Sequence, residues 1–596
     1  MRPPKSWYPA AVAGLLLVIP LLAISSLAVK SATFDEPSHL VHGLYYLVTG
    51  DYGIAVDHPP LGRMIAAWTV DRLGIPFALP VDEIPWSPAF LTHQAQEILY
   101  LRNDADRLLF WGRSPGSLMH MALAAVVFVW ALRLWGRGGA LLSLALCAFS
   151  PSLLAHSRLV TTDFPATCFI FLACAALYPL LDRASPAIVL ACGIAMGLAL
   201  LSKHSALICL PILFLILMLR SLLGPPWSFE VFPGSAGISL AGRWNRCLLG
   251  AAILVLITAC AILVTWSLYG FRYHAWAEDD PARPAKQAVQ EIFRNQNRLE
   301  RGAQERLLRL AERYPILPEP YLLGLRWTLK HMEHRLSFFL GERSAGGNHW
   351  YFPVAFAIKT PLGLILLCGL SGLRLARRQV RLSQNAALIL CLFPLIYFGN
   401  AVVSNLNIGH RHILPLYPFL FILAGGAVPT ASAARSLRVL AAAGLAWFVA
   451  SSAWIYPDYL TYFNEIAGGP SGGMRYLGDS NLDWGQDLKR VRPWMERHGV
   501  EHIKLGYFGT ALPQYYGISY EWLPSTGFLN DRVGTRTVRE GDYLVVSATC
   551  LQGFYFDDMH TYDFLNRFDP IDVIGHTLYV YHIVPERLKT VSRSAR

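Results

Sequence analysis

Long apolar runs broken by short polar connections dominate the chain as far as residue 456. A helix needs ~20 predominantly apolar residues to cross ~30 Å of hydrocarbon at 1.5 Å per residue. Runs near 8–29, 116–134, 139–156, 164–181, 187–202, 204–220, 247–268, 350–372, 385–403, 412–429 and 438–456 approach that standard and predict about eleven spans. Little more than Asp182-Arg183 and Ser202-Lys203-His204 divides the fourth, fifth and sixth. Arg2 and Lys5 precede the first run as they would a secretory signal. Its apolar stretch exceeds the ~7–15 residues of a signal core, so it is read as a span.

The pattern changes in three places. Connections 30–115 and 269–349 are long and polar, and from Tyr456 onward the chain has the texture of a soluble domain. Within that tail Leu477–Ser480, Ile503–Phe508, Tyr543–Ser547 and Thr577–Ile583 read as strands, and Trp484–His498 has helical spacing that stops at Gly499. A small α/β domain over 457–596 follows, behind a transmembrane module over 1–456. Segment 278–345, rich in Arg, Glu and Gln, predicts amphipathic helices on the membrane surface.

Composition agrees with a polytopic helical membrane protein. Hydrophobic residues are 54% and charged residues 15%, with a mean hydropathy of +0.37; a soluble domain carries ~25% charge. The excess of 51 Lys+Arg over 40 Asp+Glu would raise nucleic acid as a partner of a soluble protein. Here it reports orientation instead, since short loops that carry Lys and Arg stay cytoplasmic. With the N-terminus inside, the inner loops hold Arg133 and Arg137, then Arg183, then Arg220, Arg243 and Arg246, then Arg374, Arg377, Arg378 and Arg381, then Arg435 and Arg438. An odd number of spans puts 30–115, 269–349 and 457–596 on the non-cytoplasmic side. Nine of the ten cysteines lie in or beside apolar runs, so neither a disulfide framework nor a zinc signature is present.

Against this background the outward-facing charged residues stand out. Asp35-Glu36 follows the first span, with His39 behind it, and the same connection continues to Asp57-His58-Pro59-Pro60-Leu61-Gly62-Arg63. Each has a plain structural reading: Asp35-Glu36 as a solvated helix start, and Asp57 as the cap of a helix with prolines in its first turn. Ser157-Arg158 through Asp163 forms a short outer loop, where Asp163 could serve only as a helix cap. Lys203 could simply snorkel. Asn405 through His412 clusters His410, Arg411 and His412, and Lys359 lies inside an apolar span, where a charge costs at least ~2.5 kcal/mol. Singly these signals are weak. Together they bring carboxylates and cations from four connections to one face, as proton removal from a hydroxyl beside a departing lipid phosphate requires.

At these residues the chain resembles the dolichyl-phosphate-mannose protein mannosyltransferases and their bacterial relatives that transfer aminoarabinose to lipid A, family-39-like members of the GT-C glycosyltransferases. The matching stretches are Phe34-Asp35-Glu36 with His39, Asp57-His58-Pro59-Pro60-Leu61-Gly62, Ser157-Arg158 through Asp163, Gly197-Leu198-Ala199 through Lys203, and Gly409-His410-Arg411. The resemblance implies a GT-C fold and a polyprenyl-phosphate-linked sugar donor. It further implies a single inverting displacement with Asp35 as base, around which Glu36, Arg158, Asp163 and Lys203 position donor and acceptor. Arg63, Arg158, Lys203, His410 and Arg411 are then candidates for the donor phosphate, and His39, Asp57, His58, Lys359 and His412 for other substrate contacts. The eukaryotic members insert a β-trefoil in an outer loop; here 269–349 is short and helical in pattern. Instead a C-terminal domain follows, whose Asp479–Asp487 run is similar to that of bacterial members, so protein O-mannosylation does not follow.

The acceptor on this reading is a lipid, a glycan or a protein, membrane lipids surround the spans, and nucleic acid is not a partner. No cofactor is required; a divalent Mg or Mn bridging Asp35, Asp163 and phosphate is one reading, metal-free catalysis the other. A transporter or flippase of a lipid-linked or anionic solute is the competing class. Transporters usually carry repeated halves and a midplane site, whereas no internal repeat is visible here. A non-catalytic scaffold whose C-terminal domain binds glycan or protein is a further alternative.

Overall fold

The computed structural model describes all residues except 1–6, 82–87, 232–236, 277–282, 300–301, 334, 430–434, 527–533, 535–536 and 585–596; Arg2 and Lys5 lie outside the described residues. Seven described helices are long and apolar enough to cross a bilayer alone: Trp7–Ser25, Ala105–Ala148, Asp163–Asp182, His204–Leu223, Arg243–Leu268, Gln384–Val403 and Arg435–Ile455. A bent pair, Tyr351–Lys359 and Leu362–Ala376, is apolar enough only when taken together and meets at 101°, the form of a broken span or a re-entrant loop. The bend has a local cause. Pro361 lacks an N–H and forces Thr360 into an extended conformation (φ −93°, ψ 127°), so the helix cannot run through.

The remaining predicted runs take other forms. Runs 116–134 and 139–156 fall largely within the single element Ala105–Ala148, which is broken at Gly136 by a φ of 70° that only glycine adopts without strain. Run 187–202 is the helix Pro186–Ser202, 17 residues long and capped by Ser185. Run 412–429 is a tight turn, His410–Leu416, followed by the short helix Tyr417–Gly425. Several arginines of the basic connections brace the ends of neighbouring helices: Arg220 donates to Leu181 O at 2.7 Å, and Arg374 to Gly426 O at 2.6 Å.

Segment 278–345 contains three helices, Arg283–Gln296, Ala303–Arg313 and Glu319–His331. They do not spend their apolar faces on a membrane surface alone. Leu299, Leu308 and Leu322 pack on one another, while Arg326 joins Glu305 at 2.6 Å and Glu312 at 3.0 Å. Gly324 lets the third helix press on connection 30–115, for a Cβ there would lie 1.9 Å from Val56 O.

The C-terminal part contains a five-stranded mixed sheet. Its strands are β1 (Ile503–Gly506), β2 (Tyr520–Trp522), β3 (Tyr543–Ser547), β4 (Asp572–Ile574) and β5 (Leu578–His582), in the order β2-β1-β3-β5-β4. Neighbours β2–β1 and β1–β3 are parallel; β3–β5 and β5–β4 are antiparallel. Val491–His498 packs against this sheet and stops at Gly499, φ 62°. The strand expected over Leu477–Ser480 does not form: Leu477 makes one bridge to Phe339, and Asp479–Asn481 is a tight turn entered through a left-handed Asp479, φ 54°. Nor is the sheet an isolated unit. One apolar cluster runs from Leu40, Val41 and Leu44 into Leu488, Trp494, Leu505 and Val545. Lys30 is buried between Asp458 and Asp487, 2.6 Å from the latter.

Candidate active site

Asp35 occupies the N-cap place of the helix Glu36–Thr49, yet its side chain caps nothing. It is free to turn elsewhere because the backbone before it is held by the distant C-terminal segment: Phe34 N donates to Trp484 O at 2.8 Å, and Thr510 Oγ1 donates to Phe34 O at 2.8 Å. Arg411 NH1 reaches Asp35 Oδ2 at 3.1 Å and Asp163 Oδ2 at 3.8 Å. Asp163, the first residue of its helix, is also paired with Lys203 Nζ at 2.5 Å, and that amine lies 3.5 Å from His412 Nδ1. The guanidinium of Arg411 sits 4.1 Å over the Trp484 ring. Of the two carboxylates, Asp163 is 3% exposed and Asp35 32%, so Asp35 is the one presented to solvent and ligand.

These groups line a cavity of about 1260 Å³. Its wall includes nine of the residues singled out from the sequence: Asp35, His39, Asp57, His58, Arg63, Asp163, Lys203, Arg411 and His412. On one side it is apolar, with Leu207, Ile208, Pro211 and Tyr397 from the bundle. Arg411 Nε and His412 Nε2 are buried without a hydrogen-bond partner among the described residues. Such a site can hold an anion beside a carboxylate.

Other expected residues are committed elsewhere. Glu36 is fully buried outside the cavity wall, where it accepts from Arg113 at 2.7 and 2.6 Å, from Thr33 N at 2.8 Å and from Val160 N at 2.9 Å. It pins three segments together. Arg63 does line the cavity, but its nitrogens are engaged by Asp57 (two bonds of 2.8 Å), His39 Nδ1 at 3.0 Å, Tyr46 Oη at 2.8 Å and Ala55 O at 2.6 Å. A phosphate at Arg63 would have to displace one of these partners. Arg158 donates to Pro457 O at 3.1 Å and lies 5.4 Å over Tyr459; His410 bonds Tyr417 Oη at 2.6 Å; Lys359 bonds Leu460 O at 2.9 Å and Asn481 O at 2.5 Å. None of these three lines the cavity. Arg158 and Lys359 brace the junction between bundle and C-terminal part, and His410 holds Tyr417 within the bundle.

Electrostatics separate the titrating groups of the outer connection. Burial opposes charge on Asp57, but bidentate Arg63 outweighs it and holds the carboxyl well below the usual carboxylate range. Burial pushes His58 down to about 4, against the pull of Asp57. His39 is lowered as well, first by burial and then by Arg63. These imidazoles are therefore neutral donors or acceptors at pH 7, not fixed cations.

The metal reading fares poorly. Asp35 and Asp163 are already bridged by the Arg411 guanidinium, and Lys203 occupies the second carboxylate. Among the described residues no group of three or more His, Cys, Asp or Glu side chains converges as a metal site. The donor set does not fit a divalent ion.

Sequence reasoning missed the part of the wall supplied from the C-terminal side: Asp479, Trp484, Phe508 and Tyr555, together with Arg335 from the outer connection. The Asp479–Asp487 run was a visible signal; the aromatic residues, far along the chain, offered none.

Residues 106–231 match the family model described as dolichyl-phosphate-mannose-protein mannosyltransferase. No curated protein sequence matches the chain. Among solved structures, the crystal structure of ArnT from Cupriavidus metallidurans in the apo state aligns with a TM-score of 0.45 and 13% identity, covering 98% of this chain and 100% of that one. The crystal structure of the Archaeoglobus fulgidus oligosaccharyltransferase in the apo form aligns with a TM-score of 0.41 and 12% identity, covering 91% and 70%. Through residues 106–231, which carry Arg113, Asp163 and Lys203, the chain is thus similar to the dolichyl-phosphate-mannose-protein mannosyltransferases.

Proposed function

We propose that the chain is a membrane glycosyltransferase that moves a sugar from a polyprenyl-phosphate donor to an acceptor on the non-cytoplasmic face. The observation that carries this reading is the convergence of Asp35, Asp163, Lys203 and Arg411 at the wall of one cavity with an apolar side. The basic connections support the sidedness, and with it an extracytoplasmic place for 457–596 and insertion in the cell membrane.

Asp35 accepts the acceptor's hydroxyl proton as that oxygen attacks the anomeric carbon. The new C–O bond forms while the bond from that carbon to the phosphate oxygen breaks, and the configuration inverts. Lys203 and Arg411, with neutral His412 as a donor, offset the charge that collects on the leaving phosphate. Asp163 orients both cations. The polyprenyl chain lies along the apolar side, against Leu207, Ile208 and Pro211.

The test is direct: the purified protein in lipid is incubated with a panel of polyprenyl-phosphate sugars and acceptors, and release of polyprenyl phosphate is followed. Asp35→Asn should lower turnover by about 10²–10⁴-fold, the ordinary worth of a general base. Full activity in a folded Asp35→Asn preparation would remove Asp35 from the role. Movement of intact lipid-linked sugar across the bilayer without bond cleavage would favour the transporter.

A further inference from the structure

Apart from Trp484, which stacks under Arg411, the C-terminal part of the cavity wall has no task in the proton transfer or in holding phosphate. Phe34, Phe508 and Tyr555 form a continuous stack, with ring centroids 5.1 Å apart at 26° and 5.5 Å apart at 18°. All three line the cavity; Phe508 is the buried middle ring, and Phe34 and Tyr555 are half-buried. The Tyr555 hydroxyl donates to Asp479, a buried carboxylate that also lines the cavity and whose backbone is held in the left-handed region at φ 54°. A side chain other than glycine's is disfavoured there, and such conformations persist where the surroundings impose them. Arg335 belongs to the same wall, within electrostatic reach of Asp479, and its Nε is buried without a partner among the described residues.

A wall of aromatic carbon beside a carboxylate and an unspent guanidinium donor has a specific chemical complement. A pyranose ring presents C–H bonds, weakly positive, on one face and hydroxyls around its rim. Aromatic carbon takes the apolar C–H side of such a ring out of water. A carboxylate accepts hydroxyl protons at several lone pairs, and guanidinium N–H groups donate to hydroxyl oxygens. We propose that Phe34, Phe508, Tyr555, Asp479 and Arg335 form a hexopyranose subsite, with the ring's C–H face on the aromatic stack and its hydroxyls on Asp479 and Arg335. Phe34 precedes Asp35 in the chain, so the subsite adjoins the base. Pyranose recognition stands on these residues alone; that the ring belongs to a donor or an acceptor of sugar transfer rests on the function proposed above.

The full-length chain in lipid nanodiscs is titrated with methyl α-mannopyranoside, methyl α-glucopyranoside and methyl β-galactopyranoside under saturation-transfer NMR. Wild type should transfer saturation to ring protons of one face of at least one glycoside. Asp479→Asn and Tyr555→Ala should each weaken that binding about tenfold, the worth of a hydrogen bond to a charged group or of an aromatic contact. A second arm measures binding of undecaprenyl phosphate and of undecaprenyl-phosphate hexose, and unchanged binding of the first shows that the variants are folded. Loss of the affinity difference between the two lipids in the variants assigns the subsite to the donor. An intact difference with weakened glycoside binding assigns it to the acceptor. No saturation transfer in wild type, or equal transfer in folded variants, overturns the subsite. Wild type that binds a pyranoside through this wall but neither lipid would keep the subsite and overturn the polyprenyl-phosphate reading.

Discussion

The Arg411 guanidinium lies 4.1 Å over the ring of Trp484 while its NH1 donates to Asp35 at 3.1 Å. One residue of the C-terminal segment thus backs the cation that the sequence pattern had associated with the bundle. The Trp484 carbonyl also accepts from Phe34 N, so this residue braces the backbone beside Asp35 and the Arg411 cation at once.

Removing the ring should therefore act on catalysis more than on donor binding. A cation–π contact of this kind is worth about 0.5–2 kcal/mol. Trp484→Ala should lower kcat roughly tenfold, and Trp484→Phe should recover most of it. Steady-state release of polyprenyl phosphate, with the KM for donor followed in parallel, reads the split.

Arg411→Lys should not substitute for arginine. Lysine offers a point charge without the planar face that stacks on Trp484 or the further donor, Nε, that Arg411 keeps unspent. Loss of one preorganised donor to a developing oxyanion costs about 10²–10³ in kcat. Arg411→Lys and Lys203→Gln should both fall in that range in the same assay, with Asp35 unchanged.

Glu36 makes a different prediction. Its pair with Arg113 is buried on both sides, and breaking such a pair by removing one partner costs about 3–5 kcal/mol. Glu36→Gln should lower the melting temperature of the detergent-solubilised protein strongly. Activity per folded molecule should change little, and a loss of kcat at unchanged stability would return Glu36 to the reaction.

Lys359→Met separates an intramembrane catalytic lysine from a brace. Its amine satisfies Leu460 O and Asn481 O and sits 4.3 Å over Phe463. The substitution strands two carbonyls and should destabilise by about 1–3 kcal/mol, the cost of unpaired buried polar groups. Turnover of the folded fraction should stay near wild type, measured after thermal-shift correction.

Acidification should loosen the outer connection through His58. Its folded value, about 4, lies below the ordinary 6.5, so between those values the unfolded chain binds more protons than the folded one. Stability is complete above about 6.5 and falls as pH drops toward 4. The groups facing His58 are Asp57, Arg63, Lys203, Asp35 and His39. With 27% of the side chain exposed, the effect is about 2 kcal/mol. His58→Gln should flatten the melting-temperature profile over that window.

How much of this was legible in the sequence varies with the range of the interaction. Apolar runs report burial in lipid or in a helix bundle locally, so the spans and the basic connections could be read without a structure. Strands β1, β3 and β5 were legible for the same reason, since alternation is a near-neighbour pattern. Asp35, Asp163, Lys203 and Arg411 could be grouped because each interrupts or flanks an apolar run. The roles of Glu36 and Lys359 could not, because nothing in the local sequence distinguishes a carboxylate or an amine that meets substrate from one that meets Arg113 or a backbone carbonyl. Leu477–Ser480 misled because Asp479 takes a left-handed conformation imposed by contacts with Tyr555 and the outer connections.

The tether between Thr510 and Phe34 spans 476 residues. During synthesis the segment that holds Phe34 emerges 476 residues after it. Until the sheet has closed on segment 30–36, Asp35 has no fixed address beside Arg411. On the function proposed above, a growing chain is inert toward lipid-linked sugar, and closure of the sheet is the moment at which chemistry is switched on.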